Sequence, residues 1–402
     1  MNHGGAKGDF QVRFRTRAIH VGGGPDRETG AVVPPIHVAT TYVQPAAGEQ
    51  TAYDYSRSGN PTRSGLEEVM ASLESGTRAL AYASGMAAIH GALMLLEPGD
   101  HVVAGADIYG GTYRLLHHVL APRGIDVTLV DAADLEAFDA AFRDRTRMAW
   151  IESPGNPRMT ITDIAACAKI AKAHGAWLAV DNTFATPALT RPLELGADIV
   201  MHSATKYLGG HSDVLGGILV VRDAELAERL YYLQNATGGV LGPFDSFLVT
   251  RGIKTLELRI REQSRTAMAL AQWLAECPQV ASVNYPGLPD HPGHEVARRQ
   301  MDGAFGAMLS FEWRGGLKEA RVLVESTRLF QLAVSLGAVE SLIELPAAMS
   351  HASYDAESRR AHGITDSLIR LSVGLEAFED LREDLSAAFA AAAGSAEPPS
   401  TK

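Results

Sequence analysis

Residues 202–217 read HSATKYLGGHSDVLGG, with Ser203-Ala204-Thr205-Lys206 near the start. The apolar run Gly196-Ala197-Asp198-Ile199-Val200-Met201 leads directly into this stretch and reads as a buried strand. A second such run, Trp177-Leu178-Ala179-Val180, ends at Asp181-Asn182-Thr183, twenty-five residues before the lysine. A lysine and an aspartate thus stand at the ends of neighbouring strands.

Outward from these two runs, helices and short apolar strands alternate from about residue 66 to 220. Leu66–Leu73 and Met86–Leu96 read as helices, and Arg78–Ala83 as a strand. Further strands are expected at His101–Ala104, Val127–Val130, Met148–Ile151 and Gly217–Val221. The helix Asp163–His174 has Thr160 and Thr162 as candidate caps and Gly175 as its stop. This alternation predicts an α/β fold with a mainly parallel sheet flanked by helices on both faces. Ligands of such sheets bind beyond the carboxyl ends of the strands, where Asp181 and Lys206 lie.

Past residue 257 the pattern changes. A helix over Thr266–Glu276 leads to the turn-rich block YPGLPDHPG (285–293), then a strand at Met308–Trp313, a helix over Leu317–Thr327 and a strand at Leu368–Val373. We therefore expect residues 1–58 to form an N-terminal arm able to reach a neighbouring subunit. Residues 59–256 form the expected cofactor-binding α/β domain, and 257–402 a smaller C-terminal α+β domain. The Gly-rich start and the tail from Ala393 to Lys402 read as disordered ends.

Bulk composition narrows the function classes. The chain has 402 residues, 46% hydrophobic and 21% charged, with a formal net charge of −11. That charge argues against nucleic acid or an anionic membrane as the main partner. No run has the length of a signal peptide core or a membrane span. The two cysteines, Cys167 and Cys277, form no framework, which suits a reducing cytoplasm. His291 with His294, and His117 with His118, lack an acidic or thiol shell, so no metal is expected.

The lysine–aspartate pair is what pyridoxal phosphate chemistry requires. The amine of Lys206 forms a Schiff base with the cofactor aldehyde, and Asp181 pairs with the ring nitrogen so that the ring acts as an electron sink. Ser84-Gly85-Met86 opens an apolar helix after a strand. It reads as a phosphate seat on free backbone N–H groups, or as an ordinary serine cap. The hydroxyls of Ser203 and Thr205 lie on one side of an extended segment and can serve the same phosphate. Tyr109 sits in a glycine-rich loop and reads as a stacking ring or as a core tyrosine. Tyr55 and Arg57 suit an oxyanion, the alternative being a surface loop. Arg370, inside an apolar strand, needs an anion, which is either a substrate carboxylate or a structural partner. Glu340, in SLGAVESLIE (335–344), is ambiguous in the same way.

These residues fall in a series of motifs: YSRSGNPTR (55–63), ASGMAA (83–88), DIYGGTYR (107–114), ESPGNP (152–157), VDNTFATP (180–187), HSATKYLGGHSD (202–213), QNATGGVLGPFDS (234–246), YPGLPDHPGH (285–294) and LIRLSVGLE (368–376). From Thr16 to about Leu385 the chain resembles the Cys/Met-metabolism branch of the fold-type I pyridoxal phosphate enzymes. That branch includes cystathionine γ-lyases and γ-synthases, methionine γ-lyases and O-acetylhomoserine sulfhydrylases. The resemblance implies that Lys206 is the Schiff-base lysine and proton carrier, that Asp181 meets the pyridine nitrogen, and that Tyr109 stacks on the ring. It implies phosphate binding by Ser84, Gly85, Met86, Ser203 and Thr205, with Thr183 in the cofactor site. Tyr55 and Arg57 then come from an adjacent subunit of a homotetramer. Asn156 and Arg370 would hold the substrate carboxylate, and Ser335 would position Lys206. Asp54, Arg114 and Glu340 would line the distal end. Gly155 departs from the usual Ser or Thr, with a local effect expected.

Within the branch, Gly111 stands where methionine γ-lyases carry a cysteine, which counts against that activity. Glu344-Leu345-Pro346-Ala347 with Met349-Ser350-His351-Ala352-Ser353 resembles the lyases. The resemblance thus implies γ-elimination of L-cystathionine, ahead of γ-replacement by a synthase. From another class, a non-catalytic binder would have no need of Lys206, Asp181, Tyr109 and Arg370 together.

Overall fold

The computed structural model describes residues 12–49, 51–350 and 363–394. Seven strands build the first sheet: β1 (Arg78–Tyr82), β2 (His101–Gly105), β3 (Asp126–Val130), β4 (Thr146–Glu152), β5 (Trp177–Asp181), β6 (Ile199–Ser203) and β7 (Gly217–Val221). Their order is β1-β7-β6-β5-β4-β2-β3. Pairing is parallel from β3 through β6, and β7 runs antiparallel to both its neighbours.

The period-2 direction of side chains explains why these runs are apolar throughout. In β1, β6 and β7, Ala79, Ala81, Val200, Ile218 and Val220 pack with Leu66, Val69, Met70 and Leu73 of the helix Pro61–Leu73. The alternate residues Leu80, Tyr82, Ile199, Met201, Leu219 and Val221 pack on the other face, with Ile89 and Leu93 of the helix Gly85–Leu93. Further along, Ala149, Ile151, Leu178 and Val180 meet Ile164, Cys167 and Ala171 of the helix Ile164–Ala173. That helix is capped by Asp163, whose carboxylate accepts from Ala166 N–H, rather than by Thr160 or Thr162. Gly175 follows it with φ +67°, a left-handed stop.

The second sheet comprises β8 (Val280–Asn284), β9 (Met308–Trp313), β10 (Gln331–Leu332), β11 (Leu342–Glu344) and β12 (Leu368–Ser372), in the order β10-β11-β12-β9-β8. Helices Leu256–Glu276, Leu317–Ser326 and Phe378–Gly394 pack on it through Leu270, Leu323 and Leu385 against Phe311, Ile343 and Ile369. The last helix runs through Ala393 and Gly394, where a disordered tail was expected. The rest of that tail, the N-terminal ten residues and His351-Ala352-Ser353 lie outside the described residues. Among the described residues no helix is long and apolar enough to cross a membrane.

The first residue of β7 sets how closely the helix Gly85–Leu93 approaches the sheet. A Cβ on Gly217 would lie 2.2 Å from the Ser84 carbonyl oxygen and 2.9 Å from Ala88 Cβ. Gly217→Ala therefore forces backbone to move and is expected to cost about 1–3 kcal/mol. The check is thermal unfolding beside Gly216→Ala, whose Cβ would meet only side chains at 3.4 Å or more. Equal melting temperatures for the two variants would refute the account.

Candidate active site

Three parallel strands end at one level. Glu152 ends β4 and pairs in register with Asp181, the last residue of β5, while Ser203 ends β6. Together with Lys206 they line a cavity of about 380 Å³. Thr183 stitches the floor together: its N–H donates to Asp181 Oδ1 at 3.0 Å, and its Oγ1 accepts from Ser203 N–H at 2.8 Å.

Lys206 follows β6 in a tight turn and reaches into the cavity. Its Nζ donates to Ser335 Oγ at 2.6 Å. Burial and the nearby Arg370 lower its pKa to about 8, against an opposing pull from Glu344. Ser335 itself has φ +85°, a left-handed conformation costly for a serine. The conformation aims its hydroxyl at the amine while its carbonyl accepts from Arg370 Nη2 at 2.8 Å.

At one end of the cavity the helix Gly85–Leu93 begins. Ser84 is its cap, accepting from Ala87 N–H at 3.1 Å, and it also lines the cavity. The N–H groups of Gly85 and Met86 belong to the first turn, where no helical partner exists. A Cβ on Gly85 would lie 3.0 Å from Ser203 Oγ, so the glycine lets that hydroxyl come close to the helix start. Thr205 also lines the cavity, but from a turn and not from an extended segment. Its hydroxyl donates to the Gly216 carbonyl at 3.3 Å. Along one wall the ring of Tyr109 lies over Gly111, where a Cβ would meet it at 2.4 Å. Tyr109 is 45% exposed and lines the cavity.

Across from these groups, Arg370 is 4% exposed in β12. Nη1 donates to Asn156 Oδ1 at 2.9 Å and pairs with Glu344 Oε1 at 3.0 Å, and Nη2 binds the Ser335 carbonyl. Glu344 is its register neighbour in β11 and also accepts from Ser350 at 2.8 Å. The arginine thus has a structural partner and also lines the cavity. Its Nε is buried without a partner. Nε–H and the remaining Nη2–H form one side of the guanidinium fork, which matches the two oxygens of a carboxylate. Arg114, the last residue of the helix Gly110–Arg114, is exposed and lines the cavity too.

The set fits pyridoxal phosphate on its own chemistry. There are free N–H groups and a hydroxyl for a phosphate, a buried carboxylate for a ring nitrogen, an amine of low basicity for an aldehyde, and an open aromatic face. The chain matches the Cys/Met metabolism PLP-dependent enzyme family over residues 15–390. It is 53% identical over 385 residues to a cystathionine beta-lyase of Coxiella burnetii, covering 95% of this chain and 99% of that one.

The chain belongs to the Cys/Met metabolism PLP-dependent enzyme family.

A cystathionine gamma-synthase of Mycobacterium bovis is 52% identical over 372 residues, covering 92% of this chain and 95% of the relative. The crystal structure of cystathionine gamma-lyase from Lactobacillus plantarum, complexed with L-serine, superposes with a TM-score of 0.92 at 46% identity, covering 95% and 100% of the two chains. The fold is therefore that of the PLP-dependent cystathionine lyases and synthases, and the cofactor is pyridoxal 5'-phosphate.

Asp54 and Glu340, expected at the distal end, do not line the cavity, and Tyr55 and Arg57, expected from an adjacent subunit, lie outside it in their own chain. Tyr55, Arg57 and Asp54 are exposed and do not line the cavity. Arg57 instead reaches the Asn235 carbonyl at 3.3 Å. Glu340 is exposed and is also absent from the wall. It precedes β11 in a loop turned outward by the bonds of Val339 N–H to Gly210 and of Ser341 to Glu376, and Glu344 takes the inward position. At Gly155 the missing side chain leaves room for a carboxylate, since a Cβ there would lie 2.1 Å from Asp107 Oδ2.

Glu152 and Glu344 are cavity residues that the motifs alone did not assign. Each closes an apolar strand, and that strand-end carboxylate was the available signal. A direct check on the site uses the cofactor-free protein. Lys206 should be labelled by an amine-specific reagent with a midpoint near pH 8, because the ammonium loses its proton there. An ordinary midpoint near 10.5 would contradict the burial argument.

Proposed function

We propose that this chain is a trans-sulfuration lyase that breaks the Cγ–S bond of L-cystathionine, giving cysteine, 2-oxobutyrate and ammonia with uptake of water. The observation that supports it is the placement of the Lys206 amine, of low basicity, beside the unpartnered side of the Arg370 fork across Ser335. When bound, pyridoxal phosphate supplies the electron sink that stabilises negative charge at the substrate Cα.

The chain's own residues do the rest. Arg370 and Asn156 hold the α-carboxylate, so that Cα faces Lys206. As a free amine Lys206 takes the proton from Cα, hands that proton on, and as a free amine again takes one from Cβ, which a group with a pKa near working pH does best. The Tyr109 hydroxyl gives a proton to the departing sulfur. Asp181 holds the ring nitrogen, with Ser84, Gly85, Met86, Ser203 and Thr205 around the phosphate and Thr183 bracing the floor. Phe184, Leu215, Val334 and Leu336 keep the cavity wall apolar and limit water. Arg114 lies toward the distal part of the substrate.

The exposed positions of Tyr55, Arg57 and Asp54 suit donation to a second copy, as in a homotetramer of two active-site dimers. Residues 1–58 would form the donating arm, 59–256 the cofactor-binding domain and 257–402 the second domain. The free state of Cys167 and Cys277 accords with a cytoplasmic enzyme. A second reading, cleavage at the β side of cystathionine, is favoured by the name of the 53% identical relative. It uses the same groups without the Cβ proton step. A third, γ-replacement, follows the 52% identical synthase.

One product assay separates the three readings. L-cystathionine alone should yield cysteine and 2-oxobutyrate; homocysteine and pyruvate would mean the β side. Cystathionine made mainly from an O-acylhomoserine plus cysteine would mean a synthase.

Two variants test the residue roles. Lys206→Ala should lose about 10²–10⁴-fold in kcat. Arg370→Lys, which keeps the charge but not the fork, should raise KM by about tenfold or more. Turnover of Lys206→Ala near the wild-type rate would sink the assignment.

A further inference from the structure

Two carboxyl groups face the cavity floor. Glu152 stands beside Asp181 in register, and the two are only 7% and 9% exposed. Glu152 Oε1 accepts the main-chain N–H of Tyr109 at 2.7 Å, so it fixes the backbone that carries the stacking ring. Among the described residues no hydrogen bond reaches its Oε2, and the side chain lines the cavity.

Neighbouring carboxylates shielded from water do not both ionise, and the proton goes to the one with fewer donors. Burial raises the pKa of Asp181 too, but the side chain and the N–H of Thr183 both bond it and oppose that push. Glu152 has the single N–H of Tyr109. Burial, then Asp181, and to a smaller extent Asp107, drive its pKa well above the usual carboxyl range. The other charged groups on this cavity are Lys206, Arg114 and the Arg370–Glu344 pair.

We propose that Glu152 is a positioning residue whose neutral carboxyl anchors Tyr109 through Oε1 and presents an Oε2–H donor to the cavity, leaving Asp181 as the charged member of the pair. The role rests on the reading of Lys206, Asp181 and Tyr109 as the cofactor site, and is indifferent to which C–S bond is cut. A neutral acid is mimicked by an amide. Glutamine keeps an acceptor for the Tyr109 N–H and a donor in place of Oε2–H, whereas an ionised carboxylate has no such isostere.

The test compares wild type, Glu152→Gln, Glu152→Ala and Lys206→Ala as full-length proteins. Two quantities are read: the dissociation constant for added pyridoxal phosphate, and the pH midpoint of the bound cofactor's visible absorbance. Glu152→Gln should hold the midpoint within about 0.3 unit and the dissociation constant within about threefold. Had Glu152 been ionised, losing its charge would move the midpoint by about one unit or more. Glu152→Ala frees the Tyr109 backbone and should weaken cofactor binding by about tenfold.

A shifted midpoint in the glutamine variant overturns the neutral-acid assignment. Wild-type cofactor binding in the alanine variant overturns the anchoring. If alanine prevents folding, the glutamine arm still decides the protonation state. Retained turnover in Lys206→Ala would point to failure of the site reading itself rather than of the role of Glu152.

Discussion

The hydrogen bond from Lys206 Nζ to Ser335 Oγ is the constraint on which the rest of this site depends. Lys206 belongs to the turn after β6 in the first sheet, and Ser335 to the loop before β11 in the second. The bond therefore joins the two sheets at the reactive amine. Ser335 holds a left-handed φ at a cost of about 1–3 kcal/mol, and its neighbours compensate. Its carbonyl takes Arg370 Nη2, and the Gly337 N–H donates to Ser372 Oγ at 2.9 Å. Gly337 also lies against the Lys206 backbone so closely that a Cβ would meet Tyr207 N at 2.7 Å. The amine, its hydroxyl partner and the carboxylate fork are thus held as one unit.

Charge in the cavity follows a consistent plan. Arg370 and Glu344 are both buried and paired, and removing either alone strands a buried charge at about 3–5 kcal/mol. The pair leaves the Nε–H of the arginine buried without a partner. On the floor, Asp181 carries donors and Glu152 a single N–H, so two similar side chains differ in their hold on a proton. Behind the floor, on the face away from the cavity, His202 Nε2 meets Glu74 Oε1 at 2.5 Å, and Asn182 Nδ2 bridges Glu74 and the Thr190 carbonyl. These buried polar groups brace the ends of β5 and β6 from the rear, where period-2 alternation sends every second side chain.

Much of this was legible in the linear pattern, because strand, loop and helix each impose a short-range rule. The apolar runs marked β2 to β7 to within two residues, except that the run into β6 was read from Gly196, three residues early, and Asp181 and Lys206 followed as the residues at strand ends. Ser84 and Gly85 were recognisable as a helix start. The less local the contact, the less could be read. Glu340 and Glu344 are four residues apart in one acidic stretch. Only the bonds of Val339 and Ser341 to Gly210 and Glu376 decide that the first faces solvent and the second faces Arg370. Asp163 displaced two threonines as a cap because the helix begins at Ile164, a boundary that composition does not fix.

By itself the sequence determined the element order, the parallel sheet, the lysine–aspartate pair and the family, since each rests on residues close in the chain or on whole motifs. Only the tertiary structure decided that Glu152 stands beside Asp181 and that Arg370 meets both Asn156 and Glu344. It alone decided that Glu340 lies outside the cavity. Those facts depend on register between strands and on loops packing across two sheets, and contacts between residues 26 to 214 positions apart leave no periodic trace in the sequence.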